Sequence, residues 1–352
     1  MKKLKLKKRN TQEPAVPSRI TNETVAEHRE QILAGGRRFK YPHQYARHKL
    51  VFNAVIIILV TVVLLGLIIW WQLYPAQNTS TFFYRVTRIL PVPVATVDGA
   101  QVRYSDYLMR LGGSLHYLEQ TERVNLDSED GQRQVEFYKR LALDGAIANT
   151  YAAKLANEMD ISVSDEQVDK VVETSLNTVS GKISQDVYDD STYSTFGYTA
   201  SEYRHIIRRS LLTQEVSYRI DERANKAREL AEGMLVQKRK PSLTELAQQL
   251  EKKGYKVQLG ASGLVPKTNF DGGLSQVALK LKKGQTSEFV RSTDGKGYYM
   301  VQLVDLRDTQ LSYNFLRIPL TKFDEQLKAL EKNDRIVEHI SVKKTTDEAT
   351  RQ

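Results

Sequence analysis

The hydrophobic pattern of this chain changes character three times. Residues Leu50–Leu73, LVFNAVIIILVTVVLLGLIIWWQL, carry no charge, and only Asn53, Thr61 and Gln72 among them are polar. At helical rise the run measures roughly 36 Å against about 30 Å of bilayer hydrocarbon. The core helix of a soluble domain would show a polar face, so this pattern predicts a single transmembrane helix. Further on, apolar positions recur at helical spacing: Phe137, Leu141, Ala148, Tyr151, Leu155 and Met159 predict a helix over 133–159. Ser164 with Gln167 has capping-box spacing before Val168, Val171 and Val172. Thr199 with Glu202 opens a helix that meets no Pro or Gly until Gly233, running on as one rod or breaking near 218–221. Ser105 is placed to cap a helix holding Tyr107, Leu108 and Leu111. A strand, the tight-turn dipeptide Asp98-Gly99 and a second short strand precede it. The polar stretches 75–90 and 177–198 read as a linker and an interruption.

From Pro241 the pattern is mixed. Short helices are predicted over 242–250 and 277–281, the second stopped by Lys283 and Gly284. Strands are predicted over 256–259, 298–304 and 311–320, and a terminal helix from Phe323 to about Val337. The link 305–310 suits an antiparallel hairpin between the last two strands. The fold class is α+β: one transmembrane helix, a mainly helical module and a small sheet domain. The expected divisions are a largely disordered basic tail (1–49), the anchor (50–73), a linker (74–90), the helical module (91–240), the sheet domain (241–320) and a C-terminal helix and tail (321–352).

Charge fixes the expected direction of insertion. Residues 1–49 hold thirteen Lys plus Arg and four Glu, a net +9 of the whole chain's +10, leaving the other 303 residues near +1. The positive-inside rule then keeps the N-terminus in the cytoplasm and puts 74–352 outside a plasma membrane crossed once. A cleaved secretory signal is the rival, but a head of this length and the missing A-x-A site after Trp70 and Trp71 favour an uncleaved anchor. Arg37, Arg38, Lys40, Arg47 and Lys49 stand where anionic lipid at the cytoplasmic face would meet them; a solvated topogenic tail is the plainer alternative. Thr24 with Glu27 would cap a short helix there, stopped by Gly35 and Gly36. With its basic charge confined to this head, the chain is not expected to bind nucleic acid. The absence of Cys excludes disulfides, and His116, His205 and His339 have no ligand spacing, so neither a metal nor a cofactor is expected.

VATVDGAQVRYSDY over 94–107 resembles the opening of the SurA and PrsA type of extracytoplasmic chaperone. ISVSDEQV over 161–168 and TASEYRHIIR over 199–208 resemble later helix junctions of the same family. LKKGQTSEFV over 281–290 and GYYMVQLV over 297–304 are similar to the closing half of a parvulin prolyl-isomerase domain. The resemblance implies a foldase-like chaperone that binds unfolded or newly exported polypeptides, with grooves among the helices of 105–238. It also implies that Phe270 and Leu274 occupy proline-pocket positions, that Tyr299 stands where parvulins carry a His, and that Tyr298 and Met300 adjoin bound peptide. The family's first His has no counterpart in VSYRI over 216–220. An ordinary reading of Phe270, Leu274, Tyr298 and Met300 is the core of a sheet-helix layer.

Three functions follow: a chaperone with a catalytically weak or inactive parvulin-like domain, an active prolyl isomerase, and a cell-envelope scaffold holding one partner. The resemblance further implies that the C-terminal helix returns to the N-terminal module, with 336–342 adding a strand beside 94–97; a plain helix and frayed tail is the alternative.

Overall fold

The computed structural model describes residues 21–40, 42–178, 181–236 and 241–344. The chain divides into two units, residues 1–72 and 73–352. In the first, helix α1 (Asn22–Lys40) is followed by α2 (Pro42–Leu73). Residues 22–40 are therefore helical where a largely disordered tail was expected. Thr21 and Thr24 cap α1 reciprocally, Thr21 N to Thr24 Oγ1 at 3.0 Å and Thr24 N to Thr21 Oγ1 at 3.4 Å, in place of the expected Thr24–Glu27 box. The helix also runs through Gly35 and Gly36: a helical Gly costs about 1 kcal/mol, which longer helices tolerate. Among the described residues one helix is long and apolar enough to cross a membrane, Leu50–Leu73, with mean hydropathy 3.0 and exposed side chains along its most apolar stretch.

The second unit opens with α3 (Thr81–Ile89), where a linker was expected. The segment is tied down: Tyr74 donates to the Pro93 carbonyl at 2.7 Å, Gln77 to the Ser341 carbonyl at 2.9 Å, and Thr87 is buried. Strands β1 (Pro93–Val97) and β2 (Ala100–Arg103) join through Asp98 and Gly99, at φ 49° and 81°, the left-handed pair that a two-residue hairpin turn requires. Helix α4 (Tyr104–Gln120) starts one residue before Ser105, which is buried in its first turn and caps nothing. The strand supplies what a cap would, since Tyr104 N bonds the Val92 carbonyl at 2.8 Å.

Helix α5 (Glu129–Glu158) packs on α4, and its buried Ala142, Leu143, Ala146, Ile147 and Ala152 recur at 3.6-residue spacing. Helix α6 (Asp165–Ser175) carries the Ser164–Gln167 capping box. The interruption is structured: a small hairpin of β3 (Asn177–Thr178) and β4 (Gly181–Lys182), then α7 (Gln185–Phe196), capped by Ser184 and ended by Gly197 at φ 71°. Helix α8 (Ala200–Ile220) carries the Thr199–Glu202 box and breaks at Asp221.

After the break, α9 (Glu222–Leu235) joins the sheet domain rather than the helical module expected over 91–240. With α10 (Leu243–Lys252) it covers one face of a five-stranded sheet made of β5 (Gln258–Ala261), β6 (Val265–Pro266), β7 (Val290–Arg291), β8 (Gly297–Leu306) and β9 (Gln310–Pro319). The order is β5-β9-β8-β7, with β6 also on β9, and β8 and β9 form the expected antiparallel hairpin. The short α11 (Leu274–Ala278) covers the other face.

The chain then returns. Helix α12 (Lys322–Lys332) ends earlier than expected, with Asp334 at φ 53°, and β10 (Ile336–Glu338) pairs antiparallel with β1, Ala95 opposite Glu338 and Val97 opposite Ile336. The three-stranded order β10-β1-β2 leaves β2 as an edge, and Ile340 and Val342 are buried beyond β10. The helical module is thus built from both sides of the sheet domain in sequence.

Candidate functional site

The two-residue period of β8 divides the expected site residues between opposite faces of the sheet. Tyr298 and Met300 lie beneath α9 and α10 among Ala227, Ala231, Leu246 and Leu250. The Tyr298 hydroxyl donates to Asn225 Oδ1 at 2.6 Å, and its ring lies 5.0 Å from that of Tyr218. These two residues are pillars between helices and sheet. Their expected contact with a peptide is corrected by their burial, since a bound chain would have to displace two helices.

Tyr299 faces the other way, together with Leu274, Val301, Leu303 and Tyr313. Its ring meets Phe315 at 5.6 Å and lies under the Arg317 guanidinium at 5.8 Å. Its hydroxyl has no hydrogen-bond partner among the described residues, and burial pushes its pKa up. Leu274 shares this cluster, whereas Phe270 is 100% exposed, so the three proline-pocket positions do not converge. Nor is Phe270 core, as its ordinary reading had it.

Asp271 accounts for the outward turn of Phe270. Its carboxylate accepts from Ser275 N at 3.1 Å, Asn269 Nδ2 at 3.1 Å and the Tyr313 hydroxyl at 2.7 Å, and from the Ser275 hydroxyl. Gly272 and Gly273, at φ 72° and 86°, let the chain turn tightly from this carboxylate into α11. The family resemblance that put Phe270 at a pocket position holds no sign of this; the Asp-x-x-x-Ser spacing ahead of a short apolar run was the available signal.

Burial alone would raise the Asp271 pKa, but the hydrogen bonds from Ser275, Tyr313 and Asn269 outweigh it and hold the carboxyl below its usual range. A depressed native pKa adds stability above the unfolded value of about 3.9 and loses it as pH falls through the native pKa. Asp271→Asn is therefore expected to lower the melting temperature at pH 6, with the gap from wild type closing below about pH 4. Thermal unfolding across that range checks this, and a gap independent of pH would contradict it.

No His occurs between residues 242 and 320. His116 lies against the Ser194 carbonyl at 3.0 Å and His205 against Asp106 at 4.0 Å, both in the helical module. The Tyr299 face therefore offers its own phenol, a second phenol of Tyr313 already bound to Asp271, and a guanidinium, with no imidazole pair to exchange protons or orient a twisting amide.

A second feature lies in the helical module. An open groove of about 390 Å³ runs between β2, α4, α5 and α8, lined among others by Gln101, Arg103, Asp106, Lys154, Glu158 and Arg209. It is polar and charged, where apolar grooves were expected among these helices. Arg209 stands 3.8 Å from Asp106, and Lys154 is paired with Asp98 in the β1–β2 turn. Burial and the nearby Arg209 lower the His205 pKa, against the opposing pull of Asp106. Gln101 and Arg103 lie on the edge strand. Of the basic residues expected to meet lipid, Arg37, Arg38 and Lys40 fall in α1 and Arg47 and Lys49 in α2; their side chains lie outside the described residues.

The family model for the SurA-like N-terminal domain matches residues 44–217. The chain carries a SurA-like N-terminal domain. That domain is shared with the SurA-type chaperones and spans just under half of the chain. The match ends within α8, short of α9, where the packing also passes to the sheet domain. No curated protein matches the chain. Among solved structures, it is similar to one from Campylobacter jejuni, where the virulence factor PEB4 and the periplasmic protein Cj1289 are described as two structurally related SurA-like chaperones. Identity is 10%, with 69% of this chain and 91% of that chain covered, and the TM-score is 0.23, at which the two do not superpose as wholes.

Proposed function

We propose that this protein is a membrane-anchored SurA-type chaperone that binds unfolded or newly exported polypeptides outside the cytoplasm, and that its sheet domain has little or no isomerase activity. The SurA-like domain over 44–217 carries the chaperone reading. Clients are received in the groove beside β2, whose edge offers unpaired backbone groups to an extended chain. Polar and charged walls suit a client recognised through its backbone rather than one side chain. The anchor is Leu50–Leu73, with the basic head cytoplasmic on anionic lipid and 74–352 outside. Protease added to intact cells is expected to remove 74–352, and a protected C-terminal tag would overturn this orientation.

The buried Tyr298 and Met300, the outward Phe270 and the lone Tyr299 hydroxyl argue for weak catalysis. Prolyl isomerisation has a barrier of about 18–20 kcal/mol, which an enzyme lowers with a dry pocket and oriented hydrogen-bond groups. Turnover of a proline-containing test peptide by the full chain is expected near background, and Tyr299→His is not expected to raise it. Clear acceleration, abolished by Leu274→Ala or Tyr299→Ala, would favour the isomerase reading instead. Suppressed aggregation of an unrelated denatured protein is the expected positive result. Co-purification separates it from scaffolding: many substoichiometric clients support the chaperone, one stoichiometric partner the scaffold.

A further inference from the structure

Helix α3 carries apolar side chains on both of its sides: Phe83 and Val86 are half-buried, whereas Phe82 and Ile89 are exposed. Its inward side carries Thr87, which is buried and donates to the Tyr84 carbonyl at 3.0 Å, and Tyr84, whose hydroxyl donates to Glu202 at 2.6 Å. Arg88 stands 3.7 Å from the same Glu202. Its outward side carries Phe82, Arg85 and Ile89 at i, i+3 and i+7, the spacing of a single helix face, with Leu90 just beyond. Phe82 is 66% exposed, Ile89 83% and Leu90 44%. A helix on a water-facing surface normally buries its apolar stripe and shows its polar one. Here the Tyr84 hydrogen bond to Glu202, beside the buried Thr87 and the half-buried Phe83, fixes an orientation that leaves the large apolar Phe82 and Ile89 exposed next to Arg85.

We propose that α3 lies on the outer surface of the same bilayer that Leu50–Leu73 crosses, with Phe82, Ile89 and Leu90 inserted at the headgroup boundary and Arg85 on lipid phosphate. This rests on the anchored reading above. The chain itself supplies the argument for the bilayer as occupant. Residues 74–80 alone separate the apolar run from α3 and reach at most about 25 Å, so α3 cannot leave the vicinity of the span's outer end. Trp70 and Trp71 stand at that end, where indole rings mark the membrane interface. Arg85 has no ion-pair partner among the described residues, and an interfacial helix sinks its apolar face about 5–10 Å into the headgroup region while its cations stay with phosphate. The second contact would hold the client-binding module against the membrane.

The absence of Cys makes the test clean, because single-cysteine variants of the full chain accept one fluorophore each. Phe82→Cys, Ile89→Cys, Ile58→Cys and Asp186→Cys, all at exposed positions, are labelled and reconstituted in vesicles of phosphatidylcholine and phosphatidylglycerol. Quenching is read from lipids spin-labelled near the headgroup or near the acyl-chain end. The labels at positions 82 and 89 are expected to be quenched several-fold more by the shallow spin label than the label at 186, and the label at 58 by the deep one. Quenching at 58 with 82 and 89 no different from 186 overturns the proposal and leaves the anchor intact. Loss of deep quenching at 58 overturns the anchor instead. If added denatured polypeptide changes the signals at 82 and 89 while lipid quenchers do not, the stripe is a client surface and the proposal fails.

Discussion

Ending the chain after Leu320 is expected to unfold the helical module, although every helix matched by the family model is still present. The lost segment supplies β10, the outer partner of β1, and three buried apolar side chains: Phe323, whose ring lies 5.7 Å from Tyr151, Ile340 and Val342. At about 1.5–3 kcal/mol each these amount to roughly 5–9 kcal/mol, comparable to the whole net stability of a domain. The truncation also strips Glu338 from the nearly buried Arg140, 2.9 Å away, and Arg335 from Asp98. Circular dichroism is expected to show lost cooperativity or a melting temperature lower by about 10 °C or more. A point-mutant pair keeps the test specific: Ile340→Ser is expected to destabilise strongly and the half-exposed Val337→Ser hardly at all. An unchanged melting curve for the truncated chain would show that the module closes without its C-terminal return.

Asp221→Ala is expected to cost roughly 3–5 kcal/mol, by the loss of one helix cap and of buried hydrogen-bond partners. The carboxylate is almost wholly buried where α8 gives way to α9, and it serves two helix starts a hundred positions apart. Oδ1 accepts from Ala224 N at 2.9 Å, capping α9, while Oδ2 accepts from Thr321 N at 2.7 Å and Lys322 N at 3.0 Å at the start of α12. Thr321 makes no side-chain cap of its own, so α12 depends on this distant residue. Asp221→Asn keeps one acceptor oxygen but turns an amide N–H₂ toward backbone donors, so an intermediate loss is expected. Urea unfolding of the two variants measures the difference, and a loss below about 1 kcal/mol for the alanine variant would remove Asp221 from this role.

The elements easiest to read from the sequence were those whose signal is local. Ser164–Gln167 and Thr199–Glu202 cap their helices as their spacing predicts, and Asp98-Gly99 turns its hairpin, because a cap or a tight turn is closed by atoms within four residues. The β8–β9 hairpin was legible for a similar reason, two β-rich runs with a short link. The candidate site was much less so. Period-two alternation says that Tyr298 and Tyr299 point to opposite faces, but not which face the helices cover; α9, assigned to the other module by its continuous helical pattern, closes over Tyr298 and Met300. Phe270 looked like a pocket residue by position and is exposed because its neighbour Asp271 is drawn inward to Ser275 and Tyr313, the latter far along the chain.

By itself, then, the sequence determined the apolar run and the basic head before it, the alternation of helices and strands, the caps and turns, and the likeness of 94–107 to a SurA-type opening, since each is written in neighbouring residues. Tertiary structure decided the rest. It set β10 beside β1, broke the long helix at a carboxylate that α12 also needs, lined the groove beside β2 with charge, and left Phe82 and Ile89 of α3 exposed. Each of these depends on partners far apart in the chain, Glu202 for Tyr84, Thr321 for Asp221, Glu338 for Arg140, and a local pattern holds no record of a contact that only the closed fold creates.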